Sequence, residues 1–411
     1  MEHKVHKLCP DLPIKTTRFY TFYTAKNERF NMKILVTGAK GFVGRNLCLT
    51  LRQMPDVEVL PYDLGDEPKL NDYAAECDFV MHLAGVNRPK DPAEFRTGNT
   101  VFTEDILEKL AARTNPPPVL LSSSIQAALD NDYGKSKAAA EAAVRAYGER
   151  TGAPVFVYRL ANVFGKWCRP NYNSAVATWV YNIARDLPIM VRDPAAKVTL
   201  VYVDDVVKSF IGCLGSLTQR SREAEKHALK NDNILSVTPS YTKTLGEIVE
   251  LIKSFHDEPN TLMVPDQADG FTKKLYSTYL AALPEDKFSY PLTMHCDNRG
   301  SFTEALHSAE HGQVSVNVSK PGIAKGQHWH HTKHEKFLVV SGTGEINFRI
   351  ADDPNAKVIS YKVSGDKLEV VRIPPGYTHN IVNVGATDMV TLMWANEVFD
   401  PANPDTFRME V

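Results

Sequence analysis

Short apolar runs alternate with amphipathic stretches along residues 33–165. Continuous apolar runs of strand length indicate buried strands, and apolar residues at helical spacing indicate helices that pack on them. This strand–helix order predicts an α/β fold with a doubly wound parallel sheet. The predicted strands are 33–37, 57–62, 78–83, 118–122 and 155–159, and the predicted helices are 42–53, 100–113 and 135–150.

The pattern changes near residue 285, where short β runs follow one another with turn residues between them. This predicts an all-β barrel or jelly roll. Residues 256–270 contain prolines, acids and helix breakers and are interpreted as a linker. Residues 271–283 predict a short helix that enters the second domain. The predicted strands of this domain are 313–318, 337–341, 344–350, 357–363, 368–373, 378–383 and 389–396.

These patterns divide the chain into a flexible N-terminal extension at 1–31, a first domain at 32–280 and a second domain at 281–411. A length of 411 residues with 43% hydrophobic content suffices for more than one core. A net charge of −2 provides no basic field for nucleic acid. No apolar run has membrane-spanning length, and no signal peptide pattern is present. Six scattered cysteines indicate no disulfide framework, so we expect a cytoplasmic protein.

A glycine pattern at Gly38, Gly41 and Gly44 follows the first predicted strand and leads into the first helix. Glycines at such a junction permit a tight turn and let the backbone approach a pyrophosphate, while the helix N-terminus offers free N–H groups. An ordinary glycine turn is the alternative interpretation. The candidate dinucleotide-binding residues of this loop are Gly38, Lys40, Gly41, Phe42, Val43 and Gly44.

The second and third strands add candidate cofactor contacts. Asp63 ends the second strand at the spacing where an acid binds the ribose 2′-OH, which favours NAD. Lys40 and Arg45 lie in and beside the loop and could instead meet the 2′-phosphate of NADP. Small residues after the third strand would let a cofactor lie across it, and the candidates are Leu83, Ala84 and Gly85.

Ser124, Tyr133 and Lys137 form the candidate chemical centre. Lys137 follows Tyr133 by four residues, so the two share one face of a helix. A neighbouring ammonium is expected to lower the pKa of the phenol towards working range, and a serine hydroxyl can hold a substrate oxygen. The trio therefore suits proton transfer to or from a carbinol while a hydride moves to or from nicotinamide, with a surface ion pair as the alternative.

These motifs resemble, in sequence order, the extended short-chain dehydrogenase/reductases, which have a Rossmann-type fold and act on nucleotide sugars. The segments that carry the resemblance are TGAKGFVG, HLAG, SSS, YGKSK, YRLANVFG and VYVDDVV. The resemblance implies that Ser124, Tyr133 and Lys137 are the catalytic triad, with Tyr133 and Lys137 also binding cofactor, and that Asn162 faces the sugar nucleotide. Arg169, in the following loop, could pair with a diphosphate.

A cluster of histidines in the second domain predicts a metal site. His328 and His330 are two residues apart and point to the same side of a strand, and Glu335 and His379 follow. Three imidazoles and a carboxylate suit Zn²⁺ or another divalent first-row ion, with a metal-free surface cluster as the alternative. The spacing resembles both halves of the cupin signature, which implies a jelly-roll cupin domain.

The segment DNRGSFTE at 297–304 resembles the cupin-type 4-keto-deoxysugar 3,5-epimerases. In those enzymes the arginine and glutamate contact the nucleotide sugar, which makes Arg299 and Glu304 candidate substrate residues here. Their histidine that matches His328 acts as the base without a metal. His330 and Glu335 favour a metal in this chain, so the base is left open.

Residues 32–411 as a whole resemble the bifunctional capsular polysaccharide enzymes of the UDP-N-acetyl-L-fucosamine pathway. The resemblance implies C3 epimerisation of a UDP-2-acetamido-2,6-dideoxy-4-ketohexose in the cupin, then NADPH-dependent C4 reduction in the Rossmann domain. NADH stays possible because of Asp63, and a homodimer is expected by analogy. The alternatives are a 4-ketoreductase whose cupin only dimerises, and a non-catalytic nucleotide sensor, which the intact triad disfavours.

Overall fold

The computed structural model describes residues 31–218 and 234–411. The predicted extension, apart from Asn31, lies outside the described residues. Within the described ranges no helix combines the length and the apolar composition needed to cross a membrane. Cys48, Cys77, Cys168 and Cys296 are free thiols.

A parallel sheet organises the first part of the chain, with strand order β2-β1-β3-β4-β5-β8 among the described residues. Buried apolar clusters lie on both faces of this sheet, which confirms the doubly wound α/β prediction. Its strands are β1 Met32–Thr37, β2 Val57–Tyr62, β3 Phe79–His82, β4 Val119–Ser124, β5 Val155–Leu160 and β8 Ile234–Leu235. The helices packed on it are α1 Phe42–Leu51, α2 Leu70–Glu76, α3 Phe102–Ala111, α4 Asp132–Thr151 and α6 Val203–Thr218.

A smaller sheet and three helices enclose a third apolar cluster. The helix expected to enter the second domain instead belongs to this cluster, because Phe271, Leu275 and Tyr279 recur every four residues and bury one helical face. The predicted linker also contains a short helix. These elements are β6 Asn162–Phe164, β7 Lys197–Tyr202, β9 Tyr241–Thr244, α5 Ala175–Ile183, α7 Leu245–His256, α8 Glu258–Thr261 and α9 Gly270–Leu280.

Two antiparallel sheets form the second part of the chain, as the all-β prediction required. Their orders are β10-β11-β12-β19-β14-β17 and β16-β15-β18-β13-β20. The sequence analysis missed β10, β11, β13 and β20, whose glycines, histidines and polar residues obscure the apolar alternation. The strands are β10 Met294–Asp297, β11 Gly300–Ser308, β12 Gly312–Ser319, β13 Ala324–Trp329, β14 Glu335–Ser341, β15 Thr343–Ile350, β16 Ile359–Ser364, β17 Val370–Ile373, β18 Tyr377–Asn383, β19 Met389–Ala395 and β20 Phe407–Arg408.

Strand β12 has its polar residues inside and its apolar residues outside. Its alternate polar side chains are buried, whereas the valines between them are only half-buried. Burial of hydroxyl and amide groups is costly unless they find partners, and these side chains pair along the strand, Gln313 with Ser315 at 3.2 Å and Asn317 with Ser319 at 3.1 Å. The inward residues are Gln313, Ser315, Asn317 and Ser319.

The segment that follows α8 is hydrogen-bonded to the second part of the chain. The His307 N–H donates to the Leu262 carbonyl at 2.7 Å, and the Val264 N–H donates to the His307 carbonyl at 2.8 Å. Met263 thereby forms a parallel bridge with His307 on β11. The predicted linker is thus attached to the edge of the six-stranded antiparallel sheet.

Candidate functional site

The glycine loop forms a cradle in which side chains at the glycine positions would clash with neighbouring backbone. Gly38 has φ of +70°, and a Cβ there would lie 2.8 Å from the Ala84 nitrogen. A Cβ on Gly44 would lie 2.1 Å from the Gly38 carbonyl oxygen. Gly41 caps α1 without a side-chain hydrogen bond, and the first turn carries no acid. The N-terminal N–H groups of α1 therefore stay available to an anionic ligand, as a pyrophosphate requires.

Asp63 is tied to the glycine loop. Its carboxylate accepts hydrogen bonds from the backbone N–H of Lys40 at 2.6 Å and of Leu64 at 2.9 Å. The Lys40 ammonium lies 3.6 Å from Asp66 and is largely exposed. Both the acid that would accept a ribose hydroxyl and the cation that would meet a 2′-phosphate thus stand at the same edge of the loop.

The carboxyl ends of β1 and β3 are joined by the buried Thr37. Its hydroxyl pairs with His82 Nδ1 at 2.7 Å and accepts the backbone N–H groups of Leu83 and Ala84 at 3.2 Å each. His82 Nε2 pairs with Thr103 at 2.8 Å. Burial lowers the pKa of His82 to about 3, so it is a neutral connector that fixes the Leu83–Gly85 segment beside the cradle.

Asn99 places the lysine, and the sequence analysis missed it. It lies in a π-helical segment, Arg96–Val101, before α3. Its amide oxygen accepts a hydrogen bond from the Val86 N–H, and its amide nitrogen donates to the Val86 carbonyl and to the Ser136 hydroxyl. A Cβ on Gly85 would lie 2.7 Å from Asn99 Oδ1 and 2.9 Å from Lys137 Nζ, so Gly85 must be a glycine for the lysine to lie there. π-Helical bulges often occur at functional sites, but no residue pattern marks this one.

The structure brings Ser124, Tyr133 and Lys137 together on β4 and α4. The expected lowering of the Tyr133 pKa is not found. Burial raises that pKa, and the hydrogen bond from Ser124 offsets only part of the rise. The reason is distance, because Lys137 Nζ lies 6.0 Å from the centre of the Tyr133 ring and donates to the Ser122 carbonyl at 3.4 Å.

A buried ion pair lies beneath these residues. Glu141 on α4 accepts two hydrogen bonds from Arg159 on β5, at 2.9 and 2.7 Å, and one from Ser123 at 2.5 Å. Burial raises the pKa of Glu141, but these bonds outweigh it and keep the carboxylate charged. Ser123 is therefore committed to the ion pair, and Ser124 is the serine that faces Tyr133.

Asn162 and Arg169 are exposed at the end of this site. The Asn162 amide donates to the Thr199 carbonyl at 3.1 Å, and the Arg169 guanidinium lies 5.2 Å from the Tyr172 ring centre. The same loop reaches α1, where Arg45 stacks 4.4 Å from the Trp167 ring centre. Arg45 thus packs against the loop, which the sequence analysis did not anticipate.

His328, His330, Glu335 and His379 form one cluster between the two antiparallel sheets. Their potential ligand atoms all lie within 4.8 Å of one another. Glu335 Oε2 is 3.4 Å from His379 Nε2 and 3.6 Å from His330 Nε2, and each of these three buried atoms has no hydrogen-bond partner. Buried polar atoms are rarely left unpaired, so the donor set fits a divalent cation.

The second nitrogen of His330 supports this interpretation. Its Nδ1 donates to the Asp405 carbonyl, which leaves the Nε2 lone pair directed at the cluster. Asp405 also accepts the backbone N–H groups of His331, Thr332 and Lys333, so a residue near the C-terminus holds the whole loop. Burial lowers the pKa of His328 to about 4, which keeps its imidazole neutral as a ligand must be.

Arg299 and Glu304, the candidate substrate residues of the second part, lie in different surroundings. Arg299 is exposed, and its Nε and Nη2 both donate to one oxygen, Oδ2 of Asp297, at 2.9 and 2.6 Å. Glu304 lies on β11 with its Oε1 3.8 Å from His307 Nε2. Neither contact was evident from the sequence, because the first depends on the turn between β10 and β11 and the second on a register shift between β11 and β12.

Two family models match the two parts of this chain. Residues 34–221 match the NAD dependent epimerase/dehydratase family, and residues 295–407 match the polysaccharide biosynthesis C-terminal domain. The parallel sheet, its glycine cradle and the first match together indicate the class, a protein with the nucleotide-binding fold of NAD dependent epimerases and dehydratases.

Relatives of full length are more specific. The chain is 45% identical over 92% of its length to UDP-2-acetamido-2,6-beta-L-arabino-hexul-4-ose reductase of Pseudomonas aeruginosa, 99% of which is covered. The solved structure of the capsular polysaccharide assembling protein CapF from Staphylococcus aureus has a TM-score of 0.84 at 49% identity, with 92% of this chain and 100% of that chain covered. A structure of CapF with the inhibitor 3-isopropenyl-tropolone has a TM-score of 0.79 at 45% identity and the same coverage. The chain belongs to this family of capsular polysaccharide reductases.

The pKa of Lys137 predicts how stability depends on pH. Burial lowers it from 10.5 to about 8, so between these values the unfolded chain binds the extra proton and the folded chain does not. Raising the pH therefore favours folding. We therefore compare the unfolding free energy of wild type with that of Lys137→Met. The difference between them is expected to shift by about 2 kcal/mol in favour of wild type between pH 7.5 and 9.5. Urea unfolding without cofactor at the two pH values measures this gain.

Lys135→Met is the matched control, because Lys135 lies on the same helix with its side chain 66% exposed. It should keep the wild-type pH dependence. A difference between wild type and Lys137→Met that is flat or falls over this range would contradict the assignment.

Proposed function

We propose that this protein converts a UDP-2-acetamido-2,6-dideoxy-4-ketohexose in two steps. The antiparallel part, a cupin, epimerises C3, and the Rossmann part then reduces C4 with NADPH. The product is a UDP-N-acetyl-6-deoxy-L-talosamine-type sugar for capsule or O-antigen, made in the cytoplasm. One observation supports the proposal: Ser124, Tyr133 and Lys137 lie beside a glycine cradle, and a separate group of four potential metal ligands lies between the antiparallel sheets of the same chain.

The reduction uses groups already assembled. A bound nicotinamide supplies the hydride for C4. Ser124 holds the C4 oxygen, and the Tyr133 hydroxyl gives that oxygen its proton. The raised pKa of Tyr133 keeps the phenol protonated, which suits a proton donor. Lys137 lies against Gly85, where it can bind the cofactor ribose and approach Tyr133 once the site is filled.

NADP(H) is the proposed cofactor, and NAD(H) is the alternative because of Asp63. Both oxygens of Asp63 are occupied by backbone N–H groups, which leaves it less free to accept a ribose 2′-OH. The exposed ammonium of Lys40 stands at the same edge and can meet a 2′-phosphate. The candidate cradle contacts are Gly38, Lys40, Gly41, Phe42, Val43, Gly44, Asp63, Leu83, Ala84 and Gly85.

For substrate binding we propose Asn162 and Arg169 in the first site and Arg299 and Glu304 in the cupin. Arg169 and Arg299 are exposed cations that can pair with a diphosphate. In the cupin, His328, His330, Glu335 and His379 would hold Zn²⁺ or another divalent ion. Such an ion is a Lewis acid that stabilises the charge on an enolate oxygen.

The deciding experiment omits the nicotinamide. Purified protein is incubated with the UDP-4-keto sugar in D₂O, and proton NMR follows C3. We expect deuterium at C3 without any reduction, because the C4 ketone acidifies that proton and the cupin works without hydride transfer. NADPH or NADH is then added, and the one that drives C4 reduction identifies the cofactor. Absence of exchange in metal-loaded protein would leave the alternative, a 4-ketoreductase whose cupin is structural.

Removal of one ligand should release the metal. We expect mass spectrometry to find about one divalent ion per chain in the wild type and much less in His379→Ala. It should also abolish C3 exchange while C4 reduction of an epimerised substrate persists. His334→Ala is the control, because His334 is exposed and lies outside the cluster. Equal metal content in His379→Ala and wild type would refute the site.

We also propose a homodimer formed through the outer face of the six-stranded antiparallel sheet. Apolar side chains on neighbouring strands form a continuous patch there, with Leu306, Leu392 and Val370 exposed by 39%, 39% and 55%. Val314 and Val316 lie between them on β12. A face of this kind matches a second copy of itself and typically marks a protein interface.

A charge in this patch should separate the protomers. Leu392→Lys is expected to shift the protein from dimer to monomer in sedimentation velocity, because a buried unpaired ammonium is costly. Met190→Lys is the control, since Met190 is 74% exposed in the first part of the chain. A Leu392→Lys protein that remains dimeric would place the interface elsewhere.

A further inference from the structure

A second titratable pair, Glu304 and His307, lies on the inner face of the antiparallel sheet. The two residues are three apart, so regular strand alternation would put them on opposite faces. A register shift between Glu304 and Leu306 changes this, because it inserts one extra residue into β11. Glu304 then pairs with Ser315, and His307 pairs with Gln313, both of which are buried.

The strand register relates this pair to the metal-ligand cluster. Residues directly opposite in antiparallel strands point to the same side of the sheet. Glu335 pairs with Ala395, Ala395 with Gln313, and Gln313 with His307. The side chains of His307 and Glu335 therefore lie on the same inner face of the sheet in one row, with their backbones three strand spacings or about 14 Å apart.

Small and polar side chains make up the row between them. Ala395 is small, and Gln313 is held at both ends, by the Ser315 hydroxyl at 3.2 Å and the Phe399 N–H at 3.0 Å. On the same face, the buried Thr391 hydroxyl has no hydrogen-bond partner. A hydroxylated sugar ring lying on this polar floor would reach His307 on one side and the cluster on the other.

The other titratable groups of this cavity are already engaged. The cluster accounts for His328, His330, Glu335 and His379. The Lys325 ammonium donates to three oxygens, those of Ser301, Asn317 and Val318, and an engaged ammonium cannot accept a proton. His307, by contrast, forms no side-chain hydrogen bond with any described residue, and its buried Nε2 is unpartnered.

We propose that His307 is the base that removes the C3 proton and that Glu304 is its positioning residue. The inference rests on the proposed epimerase function, in which the base was unassigned. The Glu304 carboxylate lies 3.8 Å from His307 Nε2, and a small closure on substrate binding would let it accept the Nε2 proton. That tautomer leaves the Nδ1 lone pair free to act as the base.

The step balances without a further reactant. The C3–H bond breaks, its proton passes to His307 Nδ1, and its electron pair forms the C3–C4 double bond while the ketone oxygen becomes an enolate. A proton from water then adds to C3 on the opposite face as the ketone re-forms. The imidazolium returns its proton to the hydroxide so produced, and the net change is inversion at C3 alone.

The backbone of His307 is fixed for this role. Its N–H and carbonyl bind Leu262 and Val264, at 2.7 and 2.8 Å, so the segment leaving α8 holds the residue from outside the cavity. A base that must meet one carbon of a bound sugar needs such positioning, since misplacement by about 1 Å can cost about 100-fold in rate.

The test compares His307→Asn with His311→Asn. His311 is an exposed histidine in the adjacent turn, where only its carbonyl is used, by Trp394. C3 exchange is measured in D₂O without cofactor, together with bound metal and C4 reduction of an epimerised substrate. We expect His307→Asn to exchange the C3 proton at least 100-fold more slowly than wild type, while its metal content and its rate of C4 reduction stay unchanged. His311→Asn should match wild type in all three measurements.

Two further variants exclude a structural explanation. His307→Ala should regain part of its C3 exchange when imidazole is added, which repacking alone would not produce. Glu304→Gln should lower the exchange rate about 10-fold at saturating substrate, and Glu304→Asp should restore part of it. Wild-type exchange by His307→Asn, or no imidazole rescue of His307→Ala, overturns the inference. Absence of exchange in the wild type overturns the epimerase function itself.

Discussion

The seam between β1 and β3 is the constraint on which the first site depends. Thr37 binds the neutral His82 and two backbone N–H groups, and this brings the β3 end within a Cβ contact of Gly38. The cradle, the position of Gly85 and the place of Lys137 all follow from this approach. A larger residue at Gly85 would displace the lysine, because a Cβ there would lie 2.9 Å from Lys137 Nζ.

The two halves achieve polarity in opposite ways. In the parallel-sheet part, apolar strands are buried on both faces and the reacting groups lie only at the strand ends. In the antiparallel part, β12 directs its polar side chains inward along its whole length. The first site is therefore at the edge of a core, whereas the second lies beside a small apolar core that includes Phe337 and Phe348.

Local patterns in the sequence predicted the parts of these sites that local geometry determines. The spacing of Gly38 to Gly44, of Tyr133 to Lys137 and of His328 to His330 each encodes a turn, a helical face or a strand face. Contacts between distant segments were not predictable, such as Asp405 with His330 or Glu141 with Arg159, because no spacing encodes them. The pKa of Tyr133 is raised and not lowered as predicted, because it depends on burial by segments that are distant in the sequence. The alternation of apolar and polar residues likewise could not reveal the register shift in β11 that puts Glu304 and His307 on one face of the sheet.

The bridge at Met263 has a consequence for how the two halves can be separated. Residues 262–264 act as an added edge strand beside β11. A C-terminal fragment that starts at residue 281 would expose the bare N–H and C=O groups of that edge, which is a template for intermolecular pairing. A C-terminal fragment that starts at residue 262 would keep this edge paired, but it would also carry α9, whose apolar face packs in the first half. The two halves are therefore interlocked along the chain, and no single cut between residues 262 and 281 leaves both intact.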